Sequence, residues 1–524
     1  MKMTFSQPNH ASRAGLARRP EYFSHPRSLP SHARLAEKRP LRVMKFGGTS
    51  VGDASCIRQV VEIVRSAWQA ADIVVVVSAM SGVTNELVKA ASLSQAGKAD
   101  AVTEIFRELR HRHQQATDEL LHSASERSQS ESKLEELLRT GERLCQGTMM
   151  LRELTPRTRD AISSLGERLS ILLVAAGLRE IGLASEAIEA TELIATNAVH
   201  GAADPCMETT RQRCEARLRP VLQERTIPVI TGFIGATSDG ILTTLGRGGS
   251  DYSASIIGAA LDADEVVIWT DVDGMQTADP KLVTTARTIY EISYREAAEL
   301  AYFGAKVLHP KTLRPLIQSG IPLWIKNTFA AGHAGTKITR AGAQGEAGVR
   351  ALSVLVDVAL INLGGSSLAD PCHVLGRTLR ATASAHAEIL LVSQASSQNS
   401  VCLAIPSSSL HVTMTALREE FSQDLSTTAE LVIRHTDATI VTLVGENLHS
   451  TPTLMSAVFG TLGQRHINVF AIAQGSSDCA LSFVVASNDA SAAVAAIHHE
   501  FRLGVTSPLD HPSTPEAVYL NVSQ

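Results

Sequence analysis

The run from Gly246 to Ala254 combines the residue types of an anion-binding loop with those that recognise an amino acid. Its glycines and serine leave backbone N–H groups bare ahead of a helix predicted at Ser253–Leu261, where they can face a phosphate. Arg247 and Asp251, four residues apart, carry the charges that pair with a carboxylate and an ammonium group, and Asp251 is also a candidate helix cap. A plain glycine-rich turn has the same composition, so the run alone leaves both interpretations open.

Other polar residues follow predicted strands in the same way. Lys45 lies near the end of a strand at 41–46, ahead of Gly47 and Gly48, and Ser78 follows the Val- and Ile-rich strand 72–77. Because the carboxyl ends of parallel strands meet at one edge of a sheet, we expect these groups to lie together. Cations and backbone amides at such an edge suit phosphoryl transfer, which depends on positioning and charge neutralisation. The further candidates for this edge are Thr84, Thr270, Asp271, Lys306 and Lys326.

Composition narrows the possible function classes. The 524 residues carry a net charge of −5, which gives no support to a nucleic-acid or membrane-surface partner. Apolar runs such as 73–77 are too short to cross a bilayer, which predicts no membrane partner. The seven cysteines are scattered, which is typical of a reducing, cytoplasmic compartment and argues against a disulfide framework or a zinc site. The sequence holds no Walker A signature and no protein-kinase catalytic loop, so any kinase of this kind uses another scaffold.

Three segments differ from the predicted α/β region. Residues 1–40 are rich in basic residues, proline and serine without periodicity, which predicts a disordered arm. Residues 99–155 are strongly helical and charged, which indicates an insertion without chemistry of its own. The last third contains a repeat with an offset of 80 residues, which relates Gln394 to Gln474 and the serine pair after each glutamine. We expect two similar small domains, with helices at about 371–386 and 452–466.

Five motifs stand along the chain in a fixed order, at Lys45–Ser50, Ser164–Ser170, Gly246–Ala254, Trp269–Gly274 and Phe303–Pro310. Their order and spacing resemble the aspartate kinases, members of the amino-acid kinase superfold, over roughly residues 41–500. The resemblance implies an α/β fold with a mostly parallel central sheet and helices on both faces, followed by tandem ACT-like α+β regulatory modules. The implied segments are an arm (1–40), a catalytic domain (41–340), two ACT-like modules (350–430 and 436–505) and a tail (506–524).

The resemblance also implies a reaction, in which ATP phosphorylates the side-chain carboxylate of L-aspartate to give 4-phospho-L-aspartate and ADP. This would be the first step toward lysine, threonine and methionine. A carboxylate is already ionised at pH 7, so no general base is needed. Lys45, Arg247 and Asp251 are the implied catalytic set, with Lys45 as the cation that offsets repulsion between the carboxylate and the γ-phosphate. Arg247 would bind the substrate α-carboxylate through two parallel bonds, Glu167 and Asp251 would face the α-ammonium group or orient Arg247, and Thr84 would donate a hydroxyl group.

On the nucleotide side the resemblance implies that Mg²⁺ arrives with ATP, held largely by phosphates and water, with no protein ligand named. Two positions depart from the pattern of many relatives, which carry a tyrosine where this chain has Gln276 and an arginine where it has Lys281. Gln276 cannot stack on adenine as an aromatic ring would, and Lys281 keeps the charge without the guanidinium fork. The implied ATP-binding residues are Lys45, Gly47, Gly48, Ser78, Thr270, Asp271, Gln276, Lys281 and Lys306.

The glutamines of the repeat resemble effector-contacting residues of the threonine-sensitive aspartate kinases. Gln394 and Gln474 are therefore the implied effector-binding residues, as buried amides, with threonine favoured over lysine as the effector. Those relatives are commonly fused to a homoserine dehydrogenase, and we expect none here because no dinucleotide-binding motif follows the repeat. A homo-oligomer formed through the regulatory modules is also expected.

Two alternatives stay open at this point. The same fold could phosphorylate another acceptor, as an acetylglutamate, glutamate or uridylate kinase, although Glu167, Arg247 and the repeated tail favour aspartate. The chain could also be a catalytically inactive amino-acid sensor of the ACT type, although the retention of Lys45, Arg247 and Asp251 favours an enzyme.

Overall fold

The computed structural model describes residues 39–304, 307–342, 348–365, 371–395, 400–425, 429–474 and 478–505. Almost all of the predicted arm, the tail after 505, Lys306 and the serine pairs of the repeat lie outside these ranges. The described residues form an eight-stranded sheet, a small hairpin and a six-stranded sheet.

The eight-stranded sheet is built mainly from parallel strands, as the resemblance implies. Its order is β3-β4-β2-β1-β7-β9-β10-β8, and the neighbours from β3 to β9 are all parallel. Only β10 runs antiparallel to β9, and β5 pairs with β6 in the separate hairpin. The strands are β1 (Leu41–Phe46), β2 (Asp72–Val77), β3 (Ser185–Ile188), β4 (Ile227–Thr231), β5 (Ile234–Ala236), β6 (Leu242–Thr244), β7 (Glu265–Thr270), β8 (Glu291–Ser293), β9 (Leu323–Asn327) and β10 (Thr336–Thr339).

Helices cover both faces of this sheet, because its central strands carry apolar side chains on both faces. Met44 and Phe46 lie in one hydrophobic core with Val60. Val43 lies in the other core with Ile257. The helices of this region are α1 (Ala54–Ala70), α2 (Val83–Gln95), α3 (Ala99–Leu120), α4 (Ala124–Leu151), α5 (Pro156–Ser163), α6 (Leu165–Glu180), α7 (Met207–Gln223), α8 (Gly249–Ala260), α9 (Tyr294–Tyr302) and α10 (Pro310–Ser319).

One helical run corrects the expectation that the apolar segments are too short to cross a membrane. The run Pro156–Glu180, which joins α5 to α6, is long and apolar enough by length and composition. However, 83% of its apolar window is buried inside the fold. The burial is that of a core helix, with Leu169, Leu173 and Val174 packed in the hydrophobic core of the sheet.

The six-stranded sheet has the order β12-β13-β11-β14-β16-β15 and carries the predicted repeat. The two copies keep the offset of 80 residues, since β13 matches β16, and His386 and His466 adopt positive φ values of 51° and 57° at equivalent turns. Its strands are β11 (Gly348–Gly365), β12 (Leu391–Ala395), β13 (Ser400–Pro406), β14 (Ala429–Glu446), β15 (Ala471–Ala473) and β16 (Ala480–Ala486), and its helices are α11 (Pro371–Ser384), α12 (Leu410–Glu420), α13 (Ser422–Leu425), α14 (Leu454–Gln464) and α15 (Ser487–Glu500).

The long strands β11 and β14 pass through both copies of the repeat. They pair antiparallel with register shifts around Val358, where Asp357 has a φ of 59°. Residues 351–355 of β11 pair with the half of β14 that adjoins β16, although the sequence assigned them to the first module. We call residues 358–435 the first module, and residues 348–355 with 438–505 the second module.

Each module buries one sheet face under its own helices. Ile361 and Leu403 pack with Leu417 of α12 in the first module, and Leu443 packs with Val494 of α15 in the second. The opposite sheet faces of both modules share a third cluster, which holds among others Leu360, Leu391, Ala438 and Val484. The two modules therefore share one apolar cluster on the face of the sheet that is opposite their helices.

Candidate active site

Lys45 is held inside the sheet by its two neighbouring strands. It lies in β1, with Val76 of β2 and Ile268 of β7 as its register partners, and it is only 7% exposed. Its Nζ lies 2.5 Å from Oδ1 of Asp251. The structure therefore brings into contact two of the three residues that the resemblance implies to be catalytic. About two hundred residues separate them in the chain.

Asp251 does not cap the helix, contrary to the sequence expectation. Helix α8 begins at Gly249, four residues earlier than predicted, and its N-cap is Gly248 with a φ of 68°. Asp251 is thus the third residue of α8, where a negative charge is favoured by the exposed N–H groups of the first turn. Its carboxylate turns to Lys45 instead of to the backbone of its own helix.

The glycines after β1 allow neighbouring chain segments to approach closely. Gly47 donates its N–H to the carbonyl of Trp269 at 3.0 Å, and a Cβ on Gly48 would lie 2.9 Å from the carbonyl oxygen of Ala79. The N–H of Ser78 bonds to the carbonyl of Phe46 at 3.1 Å. The predicted phosphate-facing residues Gly47, Gly48 and Ser78 therefore lie together at the end of β1 and β2.

Ser50 links two of these loops, a contact that the sequence analysis missed. Its hydroxyl lies 2.7 Å from that of Thr328, after β9, and both side chains are buried. Ser50 belongs to the Lys45–Ser50 motif, but no spacing rule indicates a partner almost three hundred residues away.

Glu167 is a buried carboxyl group beside Lys45. It lies in the first turn of α6 and is 3% exposed. Burial raises the pKa of Glu167 to about 8, although the N–H of Ala79 and the charge of Lys45 act in the opposite direction. Its Oε2 atom is buried without a hydrogen-bond partner among the described residues. The site therefore contains an acceptor that a positively charged ligand could satisfy.

Arg247 lies on the turn ahead of α8 and is exposed to solvent. The turn needs glycine on both sides of it, because Gly246 and Gly248 have φ values of 80° and 68°. A Cβ on Gly248 would also lie 2.5 Å from Cβ of His309, the N-cap of α10. Burial, with smaller contributions from nearby cations that include Arg247, lowers the pKa of His309.

Asp160 holds the strand before this turn through hydrogen bonds. The sequence analysis did not identify it as a site residue. It is 2% exposed and accepts hydrogen bonds from the hydroxyl of Thr244 at 2.7 Å and its N–H at 3.2 Å. It also accepts from Nδ1 of His200 at 2.7 Å and from the N–H of Gly201 at 3.1 Å. A single carboxylate thus ties α5 to the end of β6, two residues before Gly246, and no sequence motif marks it.

Thr84 and the proposed nucleotide residues lie at or after the carboxyl ends of the central strands. Thr84 is half-buried in the first turn of α2. Thr270 ends β7, and its hydroxyl donates to Asp271 at 3.2 Å. Gln276 pairs with Thr288 across the following loop, with its Oε1 atom buried and unpartnered among the described residues, and Lys281 is exposed.

Lys326, the last candidate for this edge, lies in β9 beside Trp269. Its ammonium group lies 5.2 Å from the ring centroid of Trp324 and 6.0 Å from that of Trp269. Burial lowers the pKa of Lys326. Its backbone lies near the predicted edge, but the charges that act on its ammonium group are those of Glu265 and Arg42, at the opposite ends of β7 and β1. Lys306 lies outside the described residues.

The two repeat glutamines do not have the burial that was expected of effector-binding amides. Gln394 lies near the end of β12 and Gln474 directly follows β15, as predicted, but both side chains are exposed. The structure thus supports the equivalence of the two positions, but the expectation that both amides are buried is wrong.

Comparison with known proteins identifies the family. The model of the amino acid kinase family matches residues 40–327, and an ACT domain model matches residues 441–501. The chain is 32% identical over 474 residues to a chloroplastic bifunctional aspartokinase/homoserine dehydrogenase of Daucus carota, covering 89% of this chain and 51% of that protein. It is 32% identical over 473 residues to the chloroplastic aspartokinase 1 of Arabidopsis thaliana, covering 88% and 80% respectively. The chain thus spans about half the length of the bifunctional relatives it matches.

Solved structures agree with this result. E. coli aspartokinase III in complex with aspartate and ADP matches with a TM-score of 0.74 and 29% identity, covering 88% of this chain and 100% of that one. The same protein in complex with lysine and aspartate matches with a TM-score of 0.72 and 30% identity, covering 88% and 99%. On the fold, the motifs and these similarities, the chain belongs to the amino acid kinase family and, within it, to the aspartokinases.

Proposed function

We propose that this chain is an aspartate kinase that transfers the γ-phosphoryl group of ATP to the side-chain carboxylate of L-aspartate. The observation that carries the proposal is the buried cluster of Lys45, Asp251 and Glu167 at the carboxyl edge of a parallel sheet. The E. coli aspartokinase III structure with aspartate and ADP supports the choice of both substrates. The products would be 4-phospho-L-aspartate and ADP.

The positive charge of Lys45 offsets the repulsion between the substrate carboxylate and the γ-phosphate of ATP. The substrate carboxylate attacks phosphorus without giving up a proton, so the protein supplies no general base. An ammonium group held at 2.5 Å from Asp251 is already positioned and largely desolvated, which strengthens its field at the transferring phosphoryl group. Asp251 orients this ammonium group.

Arg247 and Glu167 recognise the two ends of the amino-acid backbone. The exposed guanidinium of Arg247 binds the α-carboxylate through two parallel bonds. Glu167 receives the α-ammonium group on its unpartnered Oε2 atom, and this positive charge returns the raised pKa toward its ordinary range. Thr84 donates its hydroxyl group to the substrate from the first turn of α2.

The glycine turn after β1 and the loop after β7 hold the nucleotide, through Gly47, Gly48, Ser78, Thr270, Asp271, Gln276 and Lys281. Mg²⁺ enters with ATP. Among the described residues no group of three or more His, Cys, Asp or Glu side chains could hold a metal ion. We propose that phosphates and water supply most of its coordination.

The reaction is tested with ATP and four acceptors. Acyl phosphate formed from aspartate, glutamate or acetylglutamate is trapped as hydroxamate, whereas phosphorylation of uridylate, which would give a phosphoanhydride, is followed by the release of ADP. We expect product from aspartate alone. Lys45→Met should lower kcat by about 10²- to 10³-fold, since it removes one preorganised charge. Lys89→Met, an exposed lysine of α2, serves as the control and should keep full activity. A wild-type protein that binds aspartate but forms no hydroxamate would instead be an inactive amino-acid sensor.

The regulatory modules bind an end-product amino acid, with threonine favoured over lysine. The equivalent positions of Gln394 and Gln474 at two strand ends support a paired effector contact. The double variant Gln394→Ala/Gln474→Ala should keep the uninhibited rate and lose threonine inhibition. Inhibition curves with threonine, lysine and methionine decide between effectors, and unchanged inhibition of the double variant would contradict the assignment. The position in the lysine, threonine and methionine pathway, the cytoplasmic location and the homo-oligomer stay predictions.

A further inference from the structure

Arg112 connects the helical insertion to the carboxyl edge of the parallel sheet. It lies in α3 and donates from Nη1 to the carbonyl of Ser81 at 3.1 Å and from Nη2 to the carbonyl of Gly52 at 3.3 Å. We call residues 47–53, between β1 and α1, the β1 loop, and residues 78–82, between β2 and α2, the β2 loop. A single guanidinium group therefore joins the two loops that carry the proposed phosphate-facing residues.

Helix α3 gives this guanidinium group a fixed base. Phe106 and Leu109 pack in the hydrophobic core on one face of the sheet. The ring of His113, next to Arg112, is 1% exposed and donates from Nδ1 to the carbonyl of Leu109 at 2.7 Å. Arg110 ties the same helix to α4 through an ion pair with Glu135 at 2.8 Å. The side chain of Arg112 therefore extends from a helix that is anchored on two sides.

The donors of Arg112 are directed to backbone acceptors and not to an acidic side chain. Arg107 and Arg110 of the same helix form ion pairs with Glu104 and Glu135. In the part of the chain that the structure describes, no carboxylate forms such a pair with Arg112. A charged donor forms stronger hydrogen bonds to carbonyl groups than a neutral one, and the planar fork of a guanidinium group can bond two acceptors at once.

The two loops that Arg112 joins lie very close to each other. A Cβ on Gly48 would lie 2.9 Å from the carbonyl oxygen of Ala79, and one on Gly52 would lie 3.8 Å from Cβ of Ser81. A small change in their separation would therefore move the N–H groups of both loops relative to each other. Shifts of about 1 Å in groups that position a reactant can lower a rate by about 10²-fold.

We propose that Arg112 is a positioning residue for phosphoryl transfer, which fixes the separation of the β1 and β2 loops around the phosphates of the nucleotide. The inference rests on the proposed function and gives a role to the helical insertion, for which the sequence analysis expected no chemistry. Arg112 acts through the backbone of Gly52 and Ser81 and does not touch the reacting atoms. Lys45 is held within β1 by β2 and β7, so its position does not depend on Arg112.

Arg112→Met is compared with wild type in the hydroxamate assay and by calorimetric titration with ADP. The KM for ATP and the Kd for ADP should each rise about tenfold, because two charge-assisted bonds at a partly exposed position are lost. The kcat should change less, since Lys45 stays in place. The KM for aspartate should also change less, because Arg247 and Glu167 lie outside both loops. Arg112→Lys keeps a charged donor without the fork and should recover part of the loss.

Arg58→Met is the matched control. Arg58 of α1 donates to the carbonyl of Glu119 in α3 at 2.8 Å, so it joins two helices without a bond to either loop. Its removal should leave the KM for ATP and the Kd for ADP unchanged. Equal rises in Arg58→Met and Arg112→Met would mean that the packing of α3 matters and not the loop connection, and would overturn the inference.

The two readouts separate this inference from the proposed function. If Arg112→Met forms hydroxamate with the wild-type KM for ATP and binds ADP as wild type does, only the role of Arg112 is lost. If wild type binds ADP but forms no hydroxamate, the proposed activity is lost, and the ADP titration still tests Arg112: a wild-type Kd in Arg112→Met would overturn its role, and a tenfold rise would support it.

Discussion

At the scale of single residues, the site depends on charges held away from water. Lys45 and Asp251 have side chains that are 9% and 15% exposed, so each would be costly to bury alone. Together they fix the position of the ammonium group before substrate arrives. Glu167 lies near them, and its burial opposes ionisation, so the pKa of this carboxyl group is raised.

The raised pKa of Glu167 predicts a pH dependence of stability. Its pKa is about 8 in the fold against an ordinary value of 4.5, so the folded protein holds an extra proton between these pH values. This group therefore contributes fully to stability below about pH 4.5, and the contribution falls as the pH rises through 8. Wild type should lose stability relative to Glu167→Gln across this window, by at most about 1.4 kcal/mol per pH unit.

Urea unfolding of wild type and Glu167→Gln between pH 5 and 8 measures this difference. Glu104→Gln, at a fully exposed ion pair on α3, is the control and should show no such trend. Parallel stability profiles for wild type and Glu167→Gln would mean that Glu167 ionises normally in the fold.

At the scale of elements, the turn between β6 and α8 is shaped by glycine and by what packs against it. Asp160 holds the end of β6, and the left-handed Gly248 starts α8 so that Asp251 faces Lys45. Displacement of this turn would therefore shift Arg247 and Asp251 together.

Gly248→Ala should disturb this turn more than a glycine replacement elsewhere. Alanine at a positive φ costs roughly 1–2 kcal/mol, and here the new Cβ would also lie 2.5 Å from that of His309. Gly240→Ala is the matched control, because Gly240 has a φ of 76° and nothing within 4 Å of the new atom. We expect Gly248→Ala to be the less stable variant and to raise the KM for aspartate, which unfolding and steady-state kinetics measure. Equal losses in both variants would show that the contact with His309 is unimportant.

At the scale of the whole molecule, the proposed nucleotide loop is bonded to the second module. The hydroxyl of Thr277 lies 3.0 Å from Nε2 of His498 in α15, and it accepts the N–H of Arg287 at 3.1 Å. The carbonyl of Thr277 accepts the N–H of Leu352 in β11 at 2.8 Å. Val283 packs in the core of that module. The segment that carries Gln276 and Lys281 is therefore anchored to the second module on both sides of Lys281, at Thr277 and at Val283.

Thr277→Val should weaken this connection while nearly preserving shape. Loss of the hydroxyl removes a partner of the buried His498 ring and of the partly buried Arg287 N–H, at a cost of roughly 1–3 kcal/mol. We expect the KM for ATP to rise, by up to about tenfold, with little change in the KM for aspartate. Thr103→Val, at an exposed position of α3, is the control. A selective rise in the aspartate KM would assign the loop to the other substrate.

The sequence by itself determined the local features of this protein. Short runs rich in Val and Ile predicted the strands, glycine clusters predicted the turns, and a constant offset of 80 residues predicted two similar modules, because these patterns can be read along the chain. Only the tertiary structure decided that Lys45 pairs with Asp251, that Asp160 supports Thr244, that the repeat glutamines are exposed and that the two modules share one apolar cluster. These depend on desolvation and on contacts between residues far apart in sequence, which no local pattern encodes.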